Sequence, residues 1–424
     1  MSFSTLNEWL EFQQGINPKE IDLSLDRVQK VYNKLQINFP EKNVFLIGGT
    51  NGKGTTTSIL ERLFHKKGYT TGAFTSPHLS QYNERVRINL NNSFDEDWVS
   101  AFEIIETVRG DASLTYFEFS TLAAFQILSN HDCDAWFIEV GLGGRLDATN
   151  IIESSVSVLT SIAMDHEEWL GDSIDKIAKE KVGISKTKRP LIFGDVVAMD
   201  IIEAGCQEKG AELRKKGEDF NGHIDEGHYF FNGANQSIEG IVLPKSWGDG
   251  EIDNLTTALA AMEANEQIFP TNDLLQEVID EFILPGRFEL LDLHHRWILD
   301  VAHNPSAAEN LRQRIDRSNF KLDYSMIFSM MKDKHLELYL NAFKDLVDTW
   351  IICEMETERS FRVKQIESKM SNMGISNIYC ARSPVDAIKT LEKNVSISNN
   401  VIVSGSFELV GPIREYLLNS QGKI

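Results

Sequence analysis

A chain of 424 residues is longer than a single hydrophobic core usually organises, so two domains are the default expectation. Lys and Arg total 42 against 63 for Asp and Glu, and the net charge of -21 excludes a protein that holds nucleic acid or an anionic membrane by its overall field. An anionic substrate therefore needs a locally basic pocket.

The four cysteines, Cys133, Cys206, Cys353 and Cys380, form no C-x-x-C pair and read as reduced thiols of a cytoplasmic protein. Nothing near Met1 looks like a signal peptide, and no apolar run approaches the roughly 20 residues that a membrane helix needs.

In chain order, residues 5 to 37 read as two helices joined by Gly15-Ile16-Asn17-Pro18. Val44-Phe45-Leu46-Ile47 is a short apolar run without alternation, which predicts a strand buried on both faces. The turn Gly48-Gly49-Thr50-Asn51-Gly52-Lys53-Gly54 follows, and an amphipathic helix from about Thr55 to Lys67 comes next. This is the layout of a phosphate-binding loop: glycines let successive N–H groups face one anion, the helix N-terminus adds partial positive charge, and Lys53 adds a full one. The strict G-x-x-x-x-G-K-[ST] pattern is not met, because Gly48 stands one residue too close and Gly54 separates Lys53 from Thr55.

Strands at Gly72 to Thr75, Ala135 to Val140, Val156 to Ile162 and Pro190 to Phe193 alternate with helical patterns, notably Asp97 to Val108 and Phe119 to Leu128. Such alternation predicts a mostly parallel sheet covered by helices, with ligands at the carboxyl ends of its strands. Residues 211 to 242 are Gly-rich and polar and read as an antiparallel ribbon. Helices return at Asp253 to Phe269 and Asn272 to Ile283, and Pro285-Gly286-Arg287 breaks the chain into domains 1–284 and 285–424. The second domain reads as a smaller α/β unit, with strands at Trp297 to Val301, Tyr324 to Ser329, Thr349 to Cys353, Asn377 to Cys380 and Asn400 to Val403.

A bound nucleotide triphosphate needs a divalent ion, and Mg²⁺ takes few protein oxygens beside phosphate and water. Ser76, Glu139 and His166 stand at strand ends, and Glu139 lies within the apolar Trp136-Phe137-Ile138-Glu139-Val140. A carboxylate inside a buried strand is costly unless it is paired or metal-bound. In the helix from Ser173 to Ser185, Lys181 shares the inward stripe of Ile174, Ile177, Ala178 and Val182; it either meets an anionic partner or snorkels to the surface. Arg85 and Arg87 could supply local positive charge or merely solvate a surface. Thr115-Tyr116-Phe117-Glu118-Phe119 offers aromatic faces for a flat heterocycle, or core packing. The turn Gly141 to Asp147 suits bound phosphate or a plain loop.

Taken together, the strings Gly49 to Thr55, Thr75-Ser76-Pro77-His78-Leu79 with Glu84-Arg85-Val86-Arg87, Glu139 through Asn150 and Asp165-His166 resemble the folylpolyglutamate synthase family of Mur-type ligases. So do Glu180-Lys181-Val182-Gly183-Ile184, Pro285-Gly286-Arg287-Phe288 and Asp300-Val301-Ala302-His303-Asn304-Pro305, so the resemblance covers nearly the whole chain. It implies a mostly parallel phosphate-loop sheet of the Mur ligase central-domain type, followed by a smaller Rossmann-like α/β domain. The implied activity is ATP-dependent ligation of L-glutamate to dihydropteroate and to the glutamate tail of tetrahydrofolates, by a cytoplasmic monomer with no nucleic-acid or membrane partner.

The resemblance also implies residue roles. Thr50, Asn51, Gly52, Lys53, Gly54 and Thr55 would contact ATP phosphates, with Asn254, Arg287 and Asp300 as further ATP contacts. Ser76 and Glu139 would hold one Mg²⁺, and His166 with a carbamylated Lys181 a second; Lys53, His166 and Lys181 form the catalytic set. Ile21, Asp22, Leu23, Ser24, Arg85, Thr115, Tyr116, Phe117, Leu146 and His303 would contact the substrates, Ile21 to Ser24 and Leu114 to Phe117 resembling dihydropteroate-contacting segments. Two departures stand out. Ser24 occupies a position where relatives commonly carry Gly, and Met331-Lys332-Asp333-Lys334-His335 ends in His335 where the family pattern is acidic. Three alternatives stand beside this reading: a ligase restricted to folylpolyglutamates, a ligase of cell-wall precursors, and a nucleotide-binding regulatory module.

Overall fold

The computed structural model describes residues 3–17, 22–265, 268–318, 320, 323–395 and 400–421. By internal contacts the chain forms two units. The first comprises Met1–Ala163, Leu170–Leu243 and Glu251–Phe282; the second comprises Met164–Trp169, Pro244–Gly250 and Ile283–Ile424. A single cut before Pro285 therefore misses two short excursions, and one of them carries His166 into the second unit.

The first unit is built on eight strands: β1 (Val44–Gly48), β2 (Thr71–Phe74), β3 (Val86–Ile88), β4 (Asn91–Asn92), β5 (Ala135–Glu139), β6 (Val156–Leu159), β7 (Pro190–Phe193) and β8 (Glu212–Lys215). Their order is β4-β3-β2-β5-β1-β6-β7-β8, parallel throughout except for β3 and β4 at one edge. Every residue of β1 and β5 is buried, as their unbroken apolar runs require. Phe45 stacks on Phe137 at 5.3 Å, and Phe64 from the helix Lys53–Lys66 meets both rings edge-on. From β1 the chain crosses to β2, returns to β5 and passes over β1 to β6; reversals of this kind open a ligand crevice at the strands' carboxyl ends.

Strands β3, β4 and β8 are short and partly polar, so the sequence pattern does not reveal them. β8 was expected to start an antiparallel ribbon, but it pairs parallel with β7. The ribbon itself is β9 (Asn221–Asp225), β10 (His228–Asn232) and β11 (Ser237–Ile241), an antiparallel three-stranded sheet. It is pinned to the helix Asp249–Ala264 by a hydrogen bond of 2.9 Å joining the Tyr229 and Thr256 hydroxyls.

The second unit carries β12 (Glu289–Asp292), β13 (Arg296–Asp300), β14 (Tyr324–Phe328), β15 (Val347–Cys353), β16 (Ile378–Ala381) and β17 (Asn400–Ser404), in the order β12-β13-β17-β14-β15-β16. Only β12 is antiparallel, and it is the one strand here that the sequence reading misses. Its residues Glu289-Leu290-Leu291-Asp292 are acidic at both ends and do not alternate, which erases the apolar signal, while buried Glu289 accepts from Arg414 Nε at 2.7 Å and from Gly286 N at 2.9 Å. Phe328, Tyr339, Trp350 and Ile402 centre this unit's core.

Candidate active site

The loop after β1 opens the site. Gly52 adopts φ +88°, a left-handed conformation that suits glycine, and so becomes the N-cap; the helix begins at Lys53 rather than Thr55. No side chain caps this N-terminus and its first turn holds no acidic residue, so the positive end of the helix dipole is not offset by a neighbouring carboxylate of its own turn. The loop is clamped from the end of β6. Thr50 N donates to Ser161 O at 2.7 Å, Asn51 N donates to Ser161 Oγ at 3.0 Å, and Thr160 Oγ1 donates to Asn51 O at 2.6 Å.

Two lysines converge on one carbonyl of this loop. Lys53 Nζ donates to Gly49 O and Thr50 O, both at 3.1 Å, and Lys181 Nζ donates to Gly49 O at 2.9 Å. Lys181 is 4% exposed while Lys176 and Lys179 are exposed, so the inward lysine does not snorkel. Its helix, Ile174–Val182, begins at the N-cap Ser173 and packs Ile177 and Ala178 inward.

Glu139 ends β5 in register with Ile47 of β1, and Ser76 lies two residues past Phe74, the partner of Ile138. A Cβ on Gly54 would sit 3.7 Å from Glu139 Oε2, so the buried carboxylate faces the phosphate loop. Carboxylate and hydroxyl oxygens on adjacent strand ends suit Mg²⁺. Among the described residues no three His, Cys, Asp or Glu side chains group to hold a metal alone. Asn254 joins the loop from the helix Asp249–Ala264, where it leaves no room for a side chain at Gly52: a Cβ there would lie 2.1 Å from Asn254 Oδ1.

A second cluster lies at β2 and β3. Arg85, only 7% exposed, stands over the rings of Tyr82 (5.1 Å) and Tyr116 (5.8 Å), and its Nε donates to His78 Nδ1 at 3.0 Å. Burial and the Arg85 charge pull the His78 imidazole down to about 4, so it is neutral at physiological pH. Arg87 has different partners: its guanidinium holds buried Glu61 at 2.7 Å and donates to Thr75 Oγ1 at 3.1 Å. Thr115 caps the helix Tyr116–Asn130, and Phe117 lies against Phe74, with ring centroids 6.1 Å apart.

Arg27, which sequence reasoning did not single out, joins two expected substrate segments. It pairs with Glu118 at 2.7 Å and with Asp22 at 2.9 Å, so Asp22, Leu23 and Ser24 are tethered to the start of the Thr115 helix. Its signal was faint, a lone arginine on a short helix. Ile21 lies outside the described residues. Leu146 is half-buried in a loop organised by Asp147, whose carboxylate accepts from Leu142 N at 2.7 Å and Thr149 N at 2.9 Å. Arg145 points out to Glu180, 2.8 Å away.

In the second unit, Asp165 is the hub. Its carboxylate accepts from Lys334 Nζ at 2.5 Å, Asn304 Nδ2 at 3.0 Å and His166 N at 2.9 Å, and faces His303 Nε2 at 3.7 Å. Burial raises its affinity for a proton, but His303, His166 and Lys334 together hold it well below the ordinary carboxylate range. His166 takes φ +51°, and burial lowers its imidazole to about 4, keeping it neutral. His335, the departure from the acidic pattern, pairs with Glu167 at 2.5 Å. Arg287 stacks over Phe407 at 5.4 Å. Both Asp300 oxygens accept backbone N–H bonds at 2.8 Å, from Phe288 and Ala302, so this carboxylate shapes the Pro285 turn.

Comparison with known proteins agrees with this layout. Residues 47–261 match the Mur ligase middle domain, and residues 286–407 match the Mur ligase glutamate ligase domain. The dihydrofolate synthase/folylpolyglutamate synthase of Escherichia coli is 36% identical over 98% of this chain and 96% of its own. The chain belongs to the dihydrofolate synthase/folylpolyglutamate synthase family of Mur ligases. A solved structure of this family, E. coli FolC in complex with DHPP and ADP, superposes with a TM-score of 0.92 at 35% identity, covering 99% of both chains. A second family structure, a bifunctional folylpolyglutamate synthase/dihydrofolate synthase with Mn, AMPPNP and L-glutamate bound, gives 0.89 at 32%, covering 98% of both. The α/β architecture, with one large mostly parallel sheet in each unit, is thus that of the Mur ligase fold, and among the described residues no helix is long and apolar enough to cross a membrane.

Proposed function

We propose that the protein ligates L-glutamate, at the expense of ATP, to dihydropteroate and to the glutamate tail of tetrahydrofolates. The observation that carries this reading is one unit holding both a lysine-bearing phosphate loop and a cluster in which Arg85, from the turn Tyr82–Arg85, lies over Tyr116 at the start of the Thr115 helix, next to Phe117, groups suited to an aromatic carboxylate. The folate-type carboxylate attacks the γ-phosphorus of ATP, ADP leaves, and an acyl phosphate forms. The glutamate amine then adds to the acyl carbon, and the tetrahedral adduct collapses with loss of phosphate and a proton. Such transfers depend on positioning and charge neutralisation more than on covalent help.

We assign Thr50, Asn51, Gly52, Gly54 and Thr55 to the phosphate cradle, and Lys53 to the γ-phosphoryl charge. Asn254, Arg287 and Asp300 are assigned as further ATP contacts. Ser76 and Glu139 hold Mg²⁺, whose contribution is to neutralise phosphate oxygens. Lys181 as a carbamate serves a second ion, since the modification turns a buried cation into an oxygen ligand. His166, neutral at physiological pH, keeps the imidazole lone pair a metal ligand needs. Ile21 to Ser24, Arg85, Thr115 to Phe117 and Leu146 take the folate-type substrate, and His303 the glutamate. Residues 1–284 act as the ATP and folate domain and 285–424 as the glutamate domain.

Phosphate release measured with ATP, Mg²⁺, L-glutamate and one acceptor at a time tests the assignment. Release is expected with dihydropteroate and with tetrahydrofolate, and only when every component is present. Release with tetrahydrofolate alone would restrict the protein to the folylpolyglutamate reaction; release with neither, or only with a cell-wall precursor, would overturn the reading.

One glycine offers a sharper check on the folate pocket. A Cβ on Gly141 would lie 2.3 Å from Phe117 Cζ, so Gly141→Ala has to displace that ring. Overpacking of this kind costs about 1–3 kcal/mol. Steady-state kinetics should show KM for dihydropteroate rising about tenfold with KM for ATP unchanged.

A further inference from the structure

The folate pocket contains a group that neither the phosphate chemistry nor the metal ligands use. His78 follows Ser76 by two residues and is half-buried, its ring 5.7 Å from Tyr82 in an edge-on contact. Arg85 Nε donates to its Nδ1 at 3.0 Å. A guanidinium has donors and no acceptor, so Nδ1 must be the lone-pair nitrogen and the ring proton sits on Nε2. Arg85 cannot turn away easily, because it is 7% exposed and lies over both Tyr82 and Tyr116. Tyr82 is itself fixed by a hydrogen bond of 2.5 Å to Ser120 Oγ. The Nε2–H therefore has a defined direction, and among the described residues it has no protein acceptor. It is also not one of the polar groups sealed from solvent.

We propose that His78, locked by Arg85 in its Nε2–H tautomer, donates that hydrogen bond to an oxygen at the benzoyl end of the folate-type substrate. This rests on the function proposed above. The benzoyl end is chosen over the pterin end because Ser76, two residues away, is assigned to the metal, and in dihydropteroate the benzoyl carboxylate is the reacting group beside that metal. Dihydropteroate carries a carboxylate oxygen there and tetrahydrofolate an amide carbonyl, so one neutral donor serves both acceptors. A buried cation at the same position would favour only the first. His78 thus makes Arg85 an orienting residue as well as a source of positive charge.

Two variants separate the two ring nitrogens. His78→Asn places a side-chain oxygen near Nδ1, keeps the acceptor for Arg85 and removes the outward donor. His78→Gln places an N–H near Nε2. The Asn variant should raise KM for dihydropteroate and tetrahydrofolate about tenfold, the size of one lost hydrogen bond, with KM for ATP and the melting temperature unchanged. The Gln variant should recover much of that loss. Nitrogen-15 spectra of the wild-type ring, which need no variant to fold, should show the proton on Nε2 at neutral pH. An active wild type whose Asn variant keeps both folate KM values, or a spectrum showing the proton on Nδ1, overturns this inference alone. A wild type that releases no phosphate with any folate acceptor overturns the function on which it rests.

Discussion

Lys53→Ala should lower turnover by on the order of 10²-fold or more, the scale seen when one preorganised charge donor is removed from a reacting centre. The ammonium group is already in place, donating to Gly49 O and Thr50 O at 3.1 Å, so its charge meets the triphosphate without reorganisation. Its loss should leave the fold standing, because Gly49 O keeps Lys181 as a donor and the loop stays clamped by Thr160 and Ser161. Steady-state phosphate release at saturating dihydropteroate and glutamate measures the effect, with thermal melting as the control. A full rate in this variant would remove the phosphate loop from the mechanism.

Lys181→Ala should be comparably damaging, and its rescue is more telling than its loss. The side chain is 4% exposed and ends 2.9 Å from a carbonyl of the same loop, so deletion leaves a small cavity beside the phosphate site. If the lysine works as a carbamate, short carboxylates such as formate or acetate should restore part of the activity by returning an oxygen ligand to that cavity. Rescue by small alkylammonium ions would instead assign the role to the lysine's positive charge. Unchanged activity would reduce Lys181 to packing.

The two lysines also show how legible the site was. Lys181 stood out in the sequence because helical spacing put a cation on an apolar stripe, a local conflict that burial then bears out. Lys53 stood out through its glycines. By contrast Arg27, which ties Asp22 to Glu118, offered no pattern, since its importance comes from two partners, one of them 91 residues away. Arg85 and Arg87 looked equivalent in Glu84-Arg85-Val86-Arg87. Arg85 ends the turn Tyr82–Arg85 and lies over Tyr116, whereas Arg87 sits in β3 and reaches buried Glu61. Asp165 had no periodic signal at all, yet it gathers His166, Asn304 and Lys334.

Strand boundaries follow the same logic. The central strands β1, β5 and β6 were readable because burial on both faces demands continuous apolar residues. The edge strands β4, β8 and β12, and the short β3 beside β4, were not, because such strands carry little apolar surface and their polar residues resemble a loop's.

The amino-acid order by itself determined the alternating α/β architecture, the phosphate loop with its lysine, the buried Glu139 and the inward Lys181, since each is written in local spacing and residue type. Only the folded chain decided that Lys53 and Lys181 share the Gly49 carbonyl, that Arg85 meets Tyr116 and His78 while Arg87 meets Glu61, and that His166 belongs to the second unit. These depend on contacts between residues far apart in sequence, and no local period encodes which distant partner a side chain will meet.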